Sequence, residues 1–214
     1  DGTKVLTASW DNTAKIWDAQ TGNEVHTLSG HDPLITGHAH IKAADYSPDG
    51  TKVITGSDDN TAKIWDVETG GLLHTLTEHT HFISSVKFSP DGKKVLTASW
   101  DNTAKIWDVE SGNIQQTLRG HSDAIYTVSF SPDGKKAITA GRDKTAKVWN
   151  VETGSLIHTL SGHTDLIRAA SFSPKGTKLV TGSNDKIAKI WDVETGSLFY
   201  TLVGHTGFIY SAVF

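Results

Sequence analysis

The stretch SSVKFSPDGKKVLTASWDNTAKIWDVESGNIQQTL, Ser84 to Leu118, decides the fold of this chain. Four segments of strand length, SSVKF, KVLTAS, TAKIWD and IQQTL, are separated by SPDG, WDN and ESGN. Each break carries turn chemistry: proline presets φ, Asp bonds its own backbone, and glycine accepts positive φ. The segments alternate as strands do, and no ten-residue window shows the 3.6-residue period of an amphipathic helix. The stretch predicts one antiparallel sheet of four strands, A to D, joined by tight turns.

The pattern recurs along the whole sequence. The glycine of the first turn stands at Gly2, Gly50, Gly92, Gly134 and Gly176, at spacings of 48, 42, 42 and 42 residues. Five units fill the 214 residues, and the long first interval reflects about six extra residues in HDPLITGHAH, His31 to His40. KVLTASWDNTAKIWD occurs twice, letter for letter, at Lys4 to Asp18 and Lys94 to Asp108. The chain reads B-C-D, then four complete A-to-D units, then a lone strand A over residues 207–214, GFIYSAVF. A unit apolar on both faces cannot bury them alone, so neighbours must stack, and a radial arrangement achieves this while shortening exposed edges. Residues 1–214 are expected to form a single domain, as all-β chains longer than the roughly 150-residue prior often do.

Composition narrows the function. The formal charge is -4, from 20 basic and 24 acidic residues, and no Lys/Arg run supplies the basic stripe that nucleic acid requires. The absence of cysteine excludes disulfides, cysteine-ligated zinc and thiol nucleophiles. No apolar run reaches membrane-span length and no secretion signal opens the chain, so a cytoplasmic setting without membrane insertion is expected. The chain has no methionine and opens within a motif at Asp1, which reads as a piece of a longer product.

Trp-Asp closes strand C at Trp17-Asp18, Trp65-Asp66, Trp107-Asp108 and Trp191-Asp192, with Trp149-Asn150 as the variant. Gly-His precedes strand A at Gly30-His31, Gly37-His38, Gly120-His121, Gly162-His163 and Gly204-His205, with Glu78-His79 in the third unit. In this register the chain resembles the WD40 repeat family over essentially its whole length. The resemblance implies an all-β fold, a WD40 β-propeller of four-stranded antiparallel blades, with five units present. Such rings usually have seven blades; here five either close on themselves, strand A of 207–214 completing the first unit, or belong to a larger ring.

The resemblance also implies a role for the recurring His, Thr, Asp and Trp. These are His79, Thr97, Asp101 and Trp107; His121, Thr139, Asp143 and Trp149; and His163, Thr181, Asp185 and Trp191. In the family such residues form a buried hydrogen-bond network, and their chemistry suits one: Trp donates, Thr and neutral His each do both, and ionised Asp accepts. Copies in every unit fit a framework rather than catalysis, which needs one activated nucleophile beside one pocket. The second unit supplies Thr55, Asp59 and Trp65 with His38 or His31; His38 is preferred. The first supplies Thr7, Asp11 and Trp17, and its histidine is expected from the other end, as His205. No metal, cofactor or catalytic residue is expected.

Positions that vary where the framework is constant carry the expected partner contacts. They are Trp10, Asp58, Trp100, Arg142 and Asn184 before the network Asp, and Phe82, Tyr126, Arg168, Phe208 and Tyr210 beside a recurring Ile. In the family these positions surround the channel on the face of the D-A and B-C loops, where peptides and protein domains dock. Aromatics and arginines anchor interfaces, so the expected function is a non-enzymatic scaffold for a protein or peptide. The alternatives are a targeting domain of a larger signalling protein with an NTPase or kinase module, and metal or small-ligand binding in the channel through His31, His38, His40, His79 and His81. The lysines Lys15, Lys63, Lys105, Lys147 and Lys189 recur on strand C and are expected as solvated edge groups.

Overall fold

The structure is a computed structural model and describes residues 2–33, 37 and 39–214. Its first sheet holds β1 (Lys4–Ala8), β2 (Ala14–Asp18) and β3 (Glu24–Leu28). The second holds β4 (Ile41–Tyr46), β5 (Lys52–Ser57), β6 (Ala62–Asp66) and β7 (Leu72–Leu76), and the third β8 (Ile83–Phe88), β9 (Lys94–Ser99), β10 (Thr103–Asp108) and β11 (Ile114–Arg119). The fourth is built of β12 (Ile125–Phe130), β13 (Lys136–Gly141), β14 (Ala146–Asn150) and β15 (Leu156–Leu160). The fifth is built of β16 (Ile167–Phe172), β17 (Lys178–Ser183), β18 (Ala188–Asp192) and β19 (Leu198–Leu202). All pairings are antiparallel, and no helix occurs among the described residues.

The core lies between blades. Ile54, Ala62, Ile64 and Leu76 of the second blade pack with Ile83, Val86, Phe88, Val95, Trp107 and Val109 of the third. The same division recurs at the other three junctions. Burying an Ile or Leu side chain contributes about 1.5–3 kcal/mol, so stacking, not any single sheet, holds the array.

A clasp repeats at each junction. On strand D, His26, His74 and His158 donate through Nε2 to the carbonyls of Glu68, Glu110 and Glu194 in the next blade's C-D turn, each at 2.9 Å. Gln116 does the same to Glu152 at 2.8 Å. Gly112 of the receiving turn has φ 69°, and a Cβ there would lie 2.8 Å from His74 Nδ1, so both backbone and space demand glycine.

The B-C turn places one residue in the left-handed region: Asn12, Asn60, Asn102, Lys144 and Lys186, at φ 65° to 72°. Asparagine tolerates this region better than lysine. Lys144→Asn and Lys186→Asn are each expected to add about 0.5 kcal/mol, raising Tm by about 1–2 °C; a calorimetric Tm at or below wild type would refute the strain.

The two ends of the array do not meet. Residues 207–214 form no ladder and stand beside the fifth blade, with Ile209 N–H donating to Ser183 O at 3.1 Å and Ile209 and Ala212 over Gly182. This is the seat that β4 takes on the first blade, where Ile41 N–H donates to Ser9 O at 3.2 Å. The expected strand at 207–214 is thus placed like a strand A but has no strand B beside it, and the first sheet keeps three strands with Val5 47% exposed. Closure of five blades on themselves is not what the structure adopts.

Candidate functional site

Each complete blade carries a polar relay from its C strand to its B-C turn. In the third blade Trp107 Nε1–H donates to Thr97 Oγ1 (2.9 Å), the Thr97 hydroxyl to His79 Nε2 (2.7 Å), and His79 Nδ1–H to Asp101 Oδ2 (2.7 Å). Asp101 also accepts the N–H groups of Thr80 and Thr103 and the Thr103 hydroxyl. His121, Thr139, Asp143 and Trp149 form the same relay in the fourth blade, and His163, Thr181, Asp185 and Trp191 in the fifth, at 2.7 to 2.9 Å.

In the second blade the histidine is His31, not His38. His31 lies 2.8 Å from both Thr55 and Asp59, and Trp65 completes the relay. His38 lies outside the described residues. The relay histidine thus stands before the roughly six extra residues of the second unit in sequence, not after them. In the first blade Trp17 bonds Thr7 at 2.8 Å, and among the described residues the Asp11 carboxylate accepts from Thr13 while its N–H donates to Ser9 Oγ. His205 is exposed at the far end of the array and joins no relay, because residues 204–214 stay on the fifth blade.

The relay histidine side chains have no solvent exposure. Burial holds His79 and His163 below the usual imidazole pKa, against the pull of the adjacent carboxylate. Burial would raise Asp59, Asp101, Asp143 and Asp185, but the donated hydrogen bonds outweigh it and all four stay below the usual range, Asp143 at about 2. The stable state is a neutral imidazole donating to an ionised carboxylate. The relay hydroxyls of Thr55, Thr97, Thr139 and Thr181 are fully buried, out of reach of a substrate.

Four of the five recurring strand-C lysines are not solvated, contrary to expectation, whereas Lys15 on the first blade is part-exposed and pairs with Glu24. Lys63, Lys105, Lys147 and Lys189 are buried, and each ammonium donates to the facing strand-D threonine: Thr75, Thr117, Thr159 or Thr201. Burial lowers Lys63 and Lys105.

Two local devices aim the variable residues. Strands A and B slip register by one residue after Ile41, Ile83, Ile125 and Ile167, leaving Lys42, Ser84, Tyr126 and Arg168 as bulge residues. A bulge re-aims a side chain that strict alternation would send elsewhere. The B-C turn is then tied to the residue before the same Ile: Asp58 N–H donates to His40 O, Trp100 to Phe82 O, Arg142 to Ala124 O, and Asn184 to Leu166 O, at 2.8 to 3.0 Å.

These devices assemble a belt of rings and cations. Trp10 stacks on His40 at 5.1 Å, with Lys42 Nζ 4.4 Å from the Trp10 ring and 3.2 Å from Asp58 Oδ2. Trp100 lies 5.7 Å from Phe82, 5.8 Å from His81 and 5.8 Å from Tyr126. The Arg168 guanidinium stands 5.8 Å from Tyr126 and 4.9 Å from Tyr210, and Phe208 is 6.5 Å from Tyr210. A cleft of about 320 Å³ opens among Lys42, Asp58, Phe82, Ile83, Ser84, Trp100 and Tyr126.

Trp10 and Tyr210 are more than two-thirds exposed, and Phe208 and Trp100 are 50% and 37% exposed. Arg142 is exposed and pairs with Asp123 at 3.6 Å. Asp58, which lines this cleft, and Asn184 are both largely buried, and their short side chains engage and position Lys42 and Arg168. Among the described residues no three His, Asp or Glu side chains converge as a metal-binding set, and His40 and His81 are engaged with Trp10 and Trp100.

The profile of the family described as "WD domain, G-beta repeat" matches residues 1–18, 22–66, 70–108, 112–150 and 154–192. The chain belongs to the WD40 repeat family. A 35-residue stretch is 51% identical to "WD repeat-containing protein 37" of Mus musculus and 49% identical to that of Homo sapiens, covering 16% of this chain and 7% of each relative. A 34-residue stretch is 44% identical to "Dynein assembly factor with WD repeat domains 1" of Xenopus laevis, covering 16% of this chain and 8% of that protein. A WD40 domain is typically a protein-interaction scaffold.

Proposed function

We propose that this WD40 chain is a non-enzymatic scaffold whose D-A and B-C loop face docks a segment of a partner protein. The observation that carries the reading is the belt from Trp10 to Tyr210 with its cleft at Trp100. A large exposed patch of rings rimmed by polar groups marks an interaction site, and Trp, Tyr and Arg supply most hot-spot energy. Under Phe82, Trp100 and Tyr126 the relay fixes the turns, so these rings are presented without a large ordering cost on binding.

A displayed library of random peptides selected on the protein tests this. Trp100→Ala should weaken the selected peptides by about 30-fold, the effect of a 2 kcal/mol hot spot, with Tm unchanged. Lys93→Ala, in the exposed A-B turn at the opposite end of the blade, should leave affinity intact. Peptides indifferent to Trp100→Ala would sink the reading.

A further inference from the structure

Within that docking reading, we infer that the partner segment presents an Asp or Glu carboxylate to Arg168, next to an apolar side chain that enters the cleft of Phe82, Trp100 and Tyr126. The argument rests on a difference between equivalent places in two blades. In the second blade the bulge residue is Lys42 and the B-C residue facing it is Asp58, whose carboxylate neutralises the ammonium at 3.2 Å. In the fifth blade the same two places hold Arg168 and Asn184, and Arg168 Nε–H donates to Asn184 Oδ1 at 2.6 Å. The amide orients the guanidinium as the carboxylate orients the lysine, but it leaves the charge standing.

Arg168 is half-buried, braced between the rings of Tyr126 and Tyr210, and no carboxylate pairs with it among the described residues. A guanidinium has five N–H donors in a fixed fork, and Nε uses one, so the two Nη groups keep four for a ligand. That fork matches a carboxylate held by two parallel hydrogen bonds. Tyr126 contacts Trp100 on one side and Arg168 on the other, so the anion seat and the apolar cleft share a wall. A peptide spanning both would present an acidic residue beside a Leu, Ile or aromatic residue.

The test begins with peptides selected from a random displayed library on the whole protein, sequenced and remade synthetically with their acidic residues changed to the matching amides. Selected peptides should be enriched in Asp or Glu beside an apolar residue, and the amide version should bind at least about tenfold more weakly, as expected for a charge-assisted hydrogen bond. On Arg168→Gln the acidic and amide peptides should bind alike. Asn184→Asp, which rebuilds the Lys42–Asp58 arrangement around Arg168, should lose the preference for the acid with Tm retained. Trp100-dependent peptides that bind equally as acid and amide overturn the carboxylate inference while leaving the docking face in place. A tenfold preference for phosphoserine over glutamate also overturns it, whereas peptides indifferent to Trp100→Ala would remove the docking face itself.

Discussion

Asp101→Ala is expected to lower the unfolding free energy by about 1–3 kcal/mol, the cost of leaving a buried donor unsatisfied, and Tm by roughly 2–4 °C for each of those kcal/mol. The carboxylate accepts four hydrogen bonds, from His79 Nδ1–H, the N–H groups of Thr80 and Thr103, and the Thr103 hydroxyl. The Thr80 amide can turn to water at the loop surface, but Thr103 is buried and the His79 side chain has no exposure. Its Nδ1–H loses its acceptor, and the Thr103 hydroxyl, 3.4 Å away, is a poorer one. Because His79 ties the D-A loop to strand B through Thr97, the change also loosens the seat of Phe82 and Trp100. Asp123→Ala is the comparison: it removes a half-exposed carboxylate that pairs with Arg142 and accepts the Ala124 N–H, and such a part-exposed pair is worth about 0–1 kcal/mol. Urea unfolding of both variants separates the cases. Equal midpoints for Asp101→Ala and wild type would show that the relay does not hold the blade.

Strand and turn positions were legible because turn chemistry is local. SPDG, WDN and ESGN announce themselves whatever surrounds them, and a period of 42 residues sets the register of everything between. Recurrence at fixed offsets also marked Thr97, Asp101 and Trp107 as framework. It could not say on which side of the relay histidine the extra residues of the second unit lie, since both Gly30-His31 and Gly37-His38 fit the motif; only the contacts of His31 with Thr55 and Asp59 resolve this. The bulge was illegible for a related reason. Alternation assigns faces by counting, and a single slip after Ile167 changes where Arg168 points without altering one letter of the pattern. The burial of Asp58 and Asn184 depends on long neighbours that lie across them, and the burial of Lys105 on a threonine twelve residues away on strand D. The clasp from His74 to Glu110 crosses between blades and leaves no local mark, although its recurrence in successive units was there to be counted.

Acid should unfold the protein in two stages, and both have the same sign. Stability rises with pH wherever the unfolded chain binds more protons than the folded one. Burial depresses the folded pKa of His79 and His163 below the value of 6.5 they regain on unfolding. Their contribution is complete above about pH 6.5 and is lost as pH falls through the lower folded values. Asp59, Asp101, Asp143 and Asp185 are depressed from 3.8, because hydrogen bonds donated by histidine, hydroxyl and backbone N–H groups outweigh their burial. Their contribution is complete above about pH 4 and drains away towards pH 2, where Asp143 takes up its proton. The exposed turn carboxylate Asp49, held at about 2 mainly by the Ser47 hydroxyl, adds to the second stage. The carboxylates of all four relays lose their contribution over the same range, so the acid limb should exceed the effect of any single substitution. The measurement is the urea midpoint from pH 8 to pH 3. It should hold level to about pH 6.5, decline gently to about pH 4 and then fall steeply. Asp101→Asn supplies the decisive comparison: it keeps an acceptor for His79 but cannot titrate, so below pH 4 its curve should fall less steeply than wild type. Parallel curves there would mean that the relay carboxylates do not carry the acid limb, and a midpoint that rises on acidification would reverse the assignment of neutral imidazole to ionised carboxylate.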